Sequence, residues 1–384
     1  MRDNSRNAVL RRIVTGEDEF NARAVEHYVS AAHGEPLSWL DEVDAWVCTS
    51  RSVAATVLRD ETRYGLAPWT DDAADPDTVL LRRNWLEFVD HAAHREARRR
   101  VTSAIARTMA TAWVEVAREI DALTSQVAGR SVDLVEACVE PLWRLVLSSW
   151  FGFDHDLVTS VRDSLWAVSG LVVGLADREA EHTAVALFGL VADAVAAARS
   201  APDTARGLLL ELSTQDNQVT PDRVVAASLL NLASDTSPLA PAAMLCVHGL
   251  LADPAMPRDA AENTARQAVE ELMRRDPVQV WTLRFVRADH ELAGRSIRED
   301  DRILVVPGAA NHDGAPDGSD PGLAFGTGRH SCVGRRFAVA VVTRFVTGLL
   351  RSSRMSLAAP ATWANDLGIR RLTGLPVTFS TTKG

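Results

Sequence analysis

Apolar side chains recur at helical spacing along most of this chain, and that periodicity constrains the fold more than any other feature. Residues 50–60 and 260–275 each predict one helix, residues 91–127 predict two, and residues 154–200 predict two or three. Residues 131–153 are apolar on nearly every face, which is typical of a buried helix. Since helices bury their apolar faces against one another, we expect a mainly α-helical core.

The period changes near residue 278, where alternating and β-branched residues predict strands as far as residue 306. Turn signals at residues 293–294 and 299–301 divide these strands, and the Gly/Pro/Asp-rich residues 307–322 predict a loop. We find no internal repeat and no linker. The expectation is one domain over residues 1–384, mainly α, with a small β-rich lobe.

Charge and cysteine usage exclude several functions. The net charge of −10 argues against nucleic acid as a partner, because phosphate binding needs a basic surface. Cys48, Cys138, Cys246 and Cys332 show no paired spacing, so neither a zinc site nor a disulfide framework is indicated. No apolar run reaches about 18 residues, and the N-terminus lacks a signal-peptide core. We therefore expect a cytoplasmic protein without a membrane span.

One cysteine lies in a glycine-rich loop, LAFGTGRHSCVGRRFA at residues 323–338, that leads into an apolar helix. A thiolate is a soft ligand that suits iron, and the free N–H groups at the start of a helix favour the anionic sulfur. Glycines around Cys332 would let the backbone approach a flat ring. For an isolated cysteine, a structural role beside a turn is the alternative.

The whole pattern changes that balance. Six residues within ten positions form the motif Phe325-Gly326-x-Gly328-x-His330-x-Cys332-x-Gly334, which resembles the haem-thiolate loop of cytochromes P450. The resemblance implies haem b as cofactor, Cys332 as the iron ligand, and Phe325 and Gly326 as cofactor-binding residues of the loop. It also implies the cytochrome P450 fold.

Glu271 and Arg274 in "EELMR" are similar to the ExxR element of that family. Their spacing places them on one helix face, where they can pair, and the resemblance implies a structural role. Members of the family normally add an arginine from a later meander, but here no arginine lies between Arg302 and Arg329. We therefore expect the pair to find another partner, such as a backbone carbonyl.

Four further residues resemble the family's ligands of the haem propionates. His94 and Arg98 lie one turn apart in "DHAAHREARRR", where a merely exposed basic helix is the alternative. Arg284, with Arg287 as the second choice, is similar to the arginine on the strand after ExxR. His330 in the cysteine loop completes the set, because cationic groups neutralise buried carboxylates.

The long apolar segment 220–254 departs from the family, whose members usually carry an acid and an alcohol in mid-helix to relay protons. The register places Ser237 and Pro238 there, and a proline lacks the N–H and bends a helix. Asp235 and Thr236 look like the missing pair and would serve if the distorted turn shifts them. Asp235, Thr236 and Ser237 are therefore the candidate catalytic residues.

The resemblance implies a monooxygenase or oxidative coupling enzyme that acts on a small specialised metabolite or a peptide, with electrons from a ferredoxin and its reductase. A second hypothesis is a haem-thiolate enzyme that bypasses the usual relay through peroxide, substrate assistance, or dehydration or rearrangement. A third is a catalytically silent partner protein, and a fourth is a haem sensor. Candidate pocket walls, for which core packing is the alternative, include Trp69, Trp85 and Trp166.

Overall fold

The structure is a computed structural model that describes residues 2–66, 75–89, 91–172, 177–215, 219–258, 260–314, 322–352, 354–366 and 368–380. Within these residues sixteen α-helices form. Their bounds are α1 Arg2–Thr15, α2 Asp18–Ala22, α3 Ala24–Ala32, α4 Arg51–Arg59, α5 Pro76–Arg83, α6 His91–Thr111, α7 Trp113–Val127, α8 Leu134–Leu145, α9 His155–Val172, α10 Arg178–Ser200, α11 Gly207–Ser213, α12 Asp222–Ser234, α13 Leu239–Ala252, α14 Glu262–Arg275, α15 Pro307–His312 and α16 Arg335–Ser352. The predicted helix-rich fold is confirmed.

Twelve short strands in the described residues form the β-structure. Their bounds are β1 Leu37–Leu40, β2 Ala45–Cys48, β3 Tyr64–Gly65, β4 Ser131–Asp133, β5 Thr282–Val286, β6 His290–Leu292, β7 Arg295–Ile297, β8 Arg302–Val305, β9 Arg354–Leu357, β10 Thr362–Asp366, β11 Ile369–Gly374 and β12 Pro376–Ser380. The largest sheet has the order β1-β2-β8-β5-β3. Its β2 strand runs parallel to β8, with Trp46 opposite Ile303, so the sheet joins an early hairpin to the late strands.

The turns predicted between the late strands are confirmed. Strands β6 and β7 pair antiparallel around Ala293 and Gly294, which have φ values of 51° and 73°. Asp300, between β7 and β8, has a φ of 68°. These left-handed conformations are typical of tight turns.

The predicted loop over residues 307–322 is wrong in its first part, because Pro307–His312 forms α15. Proline at the first helical position suits a helix start, since its missing N–H has no partner there in any case. Gly308 lets this helix lie against Tyr28, whose ring atoms would come within 2.5 Å of an added Cβ. Gly and Pro therefore act here as packing and starting residues.

The contacts of the chain group it into two compact units built from interleaved segments. The first unit comprises Met1–Pro68, Thr124–Val139 and Pro238–Gly384, and the second comprises Trp69–Leu123 and Glu140–Ser237. A single domain over residues 1–384 stays a prediction.

In the first unit, one apolar cluster joins the N-terminal helices to the largest sheet, and its buried members include Phe20, Tyr28, Val47 and Leu304. Helices α14 and α16 pack against each other and against α13. This packing fixes the helices that precede and follow the cysteine loop, because close-packed interiors leave little freedom.

In the second unit, α10 packs against α9, α11 and α12. It is the one described helix long and apolar enough to cross a membrane by length and composition, and 33% of its apolar window is buried. Since core helices meet the same criterion, this is weak evidence for a span. Its buried face, which includes Leu187, Phe188 and Val191, belongs to the core of this unit.

Candidate functional site

The cysteine loop is closed by its own backbone. The Cys332 amide donates to the Phe325 carbonyl over 2.9 Å, and the Gly326 amide donates to the Leu323 carbonyl over 2.9 Å. Gly326 has a φ of 67°, in the left-handed region that favours glycine. An added Cβ there would meet nothing closer than 3.8 Å, so the loop backbone leaves one side open.

Cys332 differs from the other three cysteines in its exposure. Its residue is exposed, whereas Cys48, Cys138 and Cys246 are buried. Burial raises the pKa of Cys48 and of Cys138 to about 12, which keeps these two as neutral thiols. Cys332 instead lies just before Arg335, the first residue of α16, where the helix dipole favours a thiolate.

The donor set fits a haem-thiolate ligand. A single accessible sulfur stands on a loop with an open backbone face, and the Arg335 guanidinium carbon lies 5.6 Å from the centre of the Phe325 ring. No group of three or more His, Cys, Asp or Glu residues that would hold a bare metal ion occurs in the described part of the chain. One thiolate suits an iron whose remaining ligands come from a macrocycle.

Glu271 and Arg274 pair as their spacing predicts. Arg274 donates from Nε and Nη2 to the two carboxylate oxygens of Glu271, each over 2.8 Å. Its Nη1 donates to the carbonyl of Asn311 over 2.6 Å, which confirms the predicted backbone partner. The Arg274 side chain is only 9% exposed, so its guanidinium is held largely away from water, whereas the Glu271 side chain is 41% exposed.

Asn311 links that pair to the cysteine loop. Its Nδ2 donates to the Arg274 carbonyl over 2.8 Å, and its Oδ1 accepts from the Leu323 amide over 2.7 Å. Because Asn311 is 2% exposed, both bonds are shielded from water. The start of the loop is therefore tied to the C-terminal turn of α14, a link that sequence reasoning did not find.

Two predicted propionate ligands of the first unit have other contacts in the structure. His330 Nε2 lies 3.6 Å from Oε1 of Glu61, and the neighbouring Arg329 pairs with the same carboxylate over 3.2 Å. Arg284 on β5 donates from Nη1 to the Leu283 carbonyl over 2.8 Å. The roles of His330 and Arg284 toward a propionate stay predictions.

His94 and Arg98, the other two, lie on α6 in the second unit. His94 is 1% exposed, which contradicts the alternative of a merely exposed basic helix at that position. Arg98, one turn later, is half-buried. Trp85 is 4% exposed, while Trp69 and the side chain of Trp166 lie outside the described residues.

The predicted interruption of the long apolar segment is confirmed. Helix α12 ends at Ser234, four residues before Pro238, and α13 begins at Leu239. A proline ring clashes with the carbonyl four residues earlier, which here belongs to Ser234. The Ser234 carbonyl accepts instead from the Ser237 amide over 3.0 Å, in the tighter three-residue pattern.

The three candidate catalytic residues fall in this turn and have different partners. The Thr236 hydroxyl donates to the Ala233 carbonyl over 2.7 Å, so it caps its own helix. Ser237 is exposed. Asp235 Oδ2 accepts from Nδ2 of Asn231 over 3.1 Å, one turn earlier on α12.

Asn231 also holds Glu87, an acid that sequence reasoning missed. Its Nδ2 donates to Glu87 Oε2 over 3.0 Å, and its Oδ1 accepts from the Leu86 amide over 3.0 Å. The pKa of Asp235 is raised well above its usual range by burial, by the charge of Glu87 and by a hydrogen bond with Glu87. The sequence offers one sign of this position, because Glu87 is an acid inside the apolar run NWLEFV.

The comparisons with known proteins agree with this geometry. No family model matches the chain. Pentalenic acid synthase of Streptomyces avermitilis is 28% identical over 365 residues, covering 87% of this chain and 88% of that protein. Cytochrome P450 105C1 of a Streptomyces species is 27% identical over 363 residues, covering 86% and 87%.

Among solved structures, that of P450BioI in complex with an acyl carrier protein ligated to hexadec-9Z-enoic acid superposes with a TM-score of 0.79. It is 20% identical and covers 94% of this chain and 100% of that one. At that identity the likeness concerns the fold. Relatives matched over most of their length and this shared fold support a bacterial cytochrome P450, an oxidoreductase that uses haem b.

Proposed function

We propose that the chain is a haem-thiolate monooxygenase of specialised metabolism, acting in the bacterial cytoplasm on a small molecule or a peptide. One observation carries the proposal: the accessible sulfur of Cys332 lies on a glycine loop at the start of α16. The silent-partner alternative gives no reason for keeping such a sulfur.

Each predicted residue then has a task toward the cofactor. Cys332 would hold the iron, and His94, Arg98, Arg284 and His330 would neutralise the propionates. Haem b held this way supplies oxygen activation, which a thiolate ligand favours by donating electron density.

The Glu271–Arg274 pair acts at a distance from the substrate. Through Asn311 it holds the start of the cysteine loop at Leu323, so it positions the sulfur. We assign it a structural role.

The substrate class rests on the relatives. Pentalenic acid synthase is named for a small organic acid, and P450BioI was solved with an acyl chain on a carrier protein. A small molecule, free or carried by a protein, is therefore the substrate proposed here. Electrons come from a ferredoxin and its reductase.

A spectrum tests the proposal. Protein reconstituted with haem, reduced and exposed to carbon monoxide should absorb at the position of thiolate-ligated haem, and candidate substrates should shift its Soret band. A protein that stays colourless after haem supplementation contradicts the proposal.

A second candidate, a haem-thiolate enzyme that bypasses the ordinary relay, is favoured by the break before Pro238 and by Ser237 in the position of the acid. Turnover by hydrogen peroxide alone, without ferredoxin and NAD(P)H, would support it. Turnover that requires the electron carriers would favour the first candidate.

A further inference from the structure

We propose that Glu61, on the turn after α4, is a further residue of the haem site, and that its negative charge opposes reduction of the iron that Cys332 would hold. Its carboxylate binds Arg329 and faces His330, two neighbouring residues of the cysteine loop. The inference rests on the proposed haem-thiolate function. Glu61 acts through the loop rather than on iron or substrate, so it is a positioning residue.

The place of Glu61 is fixed by the turn that contains it. Helix α4 ends at Arg59, and the next residue, Asp60, accepts at Oδ1 from the amides of Thr62 and Arg63 over 3.1 and 3.2 Å. An aspartate that accepts from the backbone two residues later makes a compact turn. A hydrogen bond from the Thr62 hydroxyl lowers the pKa of Asp60, which keeps that acceptor ionised. The backbone of Glu61 is therefore held by bonds that do not involve the loop.

The last turn of α4 also lies against the middle of the cysteine loop. Arg59 Nε donates to Oγ1 of Thr327 over 3.1 Å. Gly328, whose φ is 76°, comes so close that an added Cβ would lie 3.1 Å from the Leu58 carbonyl oxygen. A side chain at this position would be strained and crowded. Close packing thus brings the end of α4 to the residues just before Arg329.

The other end of α4 is tied to the start of the same loop. The amide of Arg51, the first residue of α4, donates to Oδ2 of Asp313 over 2.8 Å. A carboxylate is stabilised at the N-terminus of a helix. Asp313 follows α15, whose Asn311 accepts from the Leu323 amide. Helices α4 and α15 therefore hold the loop at two points, and Glu61 lies in a framework that fixes its distance from the loop.

The carboxylate of Glu61 contacts two basic side chains. Its Oε1 lies 3.2 Å from Nε of Arg329 and 3.6 Å from Nε2 of His330. The side chains of Glu61 and His330 are 19% and 17% exposed, and Nη1 of Arg329 is enclosed by protein. Partly buried charges are screened less by salt and water than charges on an open surface. The charge of Glu61 therefore acts on the loop with little screening.

The cysteine loop is basic near its sulfur, and Glu61 offsets part of that charge. Arg329 and His330 precede Cys332 by three and two positions, and Arg335 follows it by three. Reduction of the iron by one electron from the ferredoxin adds one negative charge to the site. Basic side chains favour that addition, and a carboxylate raises its free-energy cost by Coulomb repulsion. Glu61 thus holds the reduction potential below the value that the loop alone would set.

Two variants of Glu61 separate its charge from its role as a tether. Glu61→Gln keeps the size and removes the charge, whereas Glu61→Asp keeps the charge and shortens the reach. In a redox titration of the holoenzyme followed by the Soret band, Glu61→Gln should move the midpoint potential to a more positive value. At the wild-type midpoint, its ratio of reduced to oxidised protein should rise about threefold or more. Glu61→Asp should stay near the wild type. A tether without an electrostatic role gives the reverse order, and that order overturns the proposal.

Arg329→Gln supplies a second test with the opposite sign. It leaves the carboxylate of Glu61 without its arginine, so the midpoint potential should become more negative than in the wild type. A shift in the same direction as that of Glu61→Gln overturns the proposal. The matched control is Glu35→Gln, which removes an acid of the first unit that pairs over 2.6 Å with Arg295 on β7. This control should leave the potential unchanged.

The carbon-monoxide spectrum separates failure of this inference from failure of the proposed function. A wild-type protein without the spectrum of thiolate-ligated haem contradicts the haem-thiolate function itself. If the wild type and Glu61→Gln both show that spectrum and have the same midpoint potential, the function stands and the role of Glu61 is overturned.

Discussion

The cysteine loop and the end of α12 differ in how their functional residues are brought together. The loop carries Phe325, Gly326 and Cys332 within a few positions, and its closing bond joins Cys332 to Phe325. The acid cluster joins Asn231 to Glu87, which is 144 positions away in the chain. A contiguous motif is readable as a pattern, whereas a cluster assembled by packing is visible only in three dimensions.

The largest expected effect comes from the loop. Cys332→Ser removes the thiolate, and an alcohol is a poor ligand for this iron. We expect complete loss of the thiolate-type carbon-monoxide spectrum and of turnover. Cys138→Ala, which changes a buried cysteine, should retain both; equal loss in the two variants would point to unfolding.

Arg274→Ala tests the support behind the loop. It removes a buried guanidinium that holds Glu271 and the Asn311 carbonyl, and loss of these charge-assisted hydrogen bonds should lower the free energy of unfolding by about 2 kcal/mol. Urea unfolding of the holoenzyme measures it. Arg266→Ala on the same helix, whose pair with Glu270 is exposed, should cost less than about 1 kcal/mol.

A smaller cost for Arg274→Ala than for Arg266→Ala would show that the fork does not support the loop. If Arg274→Ala lowers stability but retains the Soret spectrum, the Glu271–Arg274 pair stabilises the fold and is not needed to position the Cys332 sulfur.

The sequence predicted what depends on local order. The pairing of Glu271 with Arg274 follows from helical spacing, and the helix break follows from the clash of Pro238 with Ser234. Even the carbonyl partner of Arg274 was predictable, because a buried guanidinium needs acceptors and no arginine remained in the meander to compete.

What escaped prediction depends on tertiary packing. The position of Glu87 beside Asp235, the contact of His330 with Glu61 and the role of Asn311 each join segments that are distant along the chain. Helix α15 was missed because Gly308 was interpreted as a breaker, while its actual role is close approach to Tyr28. Helical or strand periodicity in the sequence does not show which distant segments come into contact.

The two units also differ in how their buried titratable groups make stability depend on pH. In the first unit, burial and the charge of Arg370 lower the pKa of His248 to about 4. The unfolded imidazole takes up a proton near about pH 6.5 while the folded one does not, so stability falls as pH decreases between these values. We expect a loss of about 2 kcal/mol between about pH 7 and about pH 5.

Thermal and urea unfolding of His248→Gln should lack most of that slope, because glutamine does not titrate. The side chain of Trp363, 5.0 Å away between ring centres, should pack against either residue. An unchanged slope in the variant would assign the acid sensitivity to other groups.

The second unit should respond in the opposite direction, with the smallest effect. The pKa of Asp235 is raised, so above about pH 4 the unfolded carboxyl loses its proton while the folded one keeps it, and stability falls as pH rises. Asp235→Asn removes this penalty and retains an NH2 group that can donate to Glu87. The variant should therefore gain stability relative to the wild type as pH rises above about 4, by an amount that solvent screening at the accessible face of Asp235 keeps small. If the difference in the free energy of unfolding between the variant and the wild type stays constant with pH, Asp235 is ionised in the folded protein. The end of α12 would then differ from an ordinary helix end only by the break before Pro238.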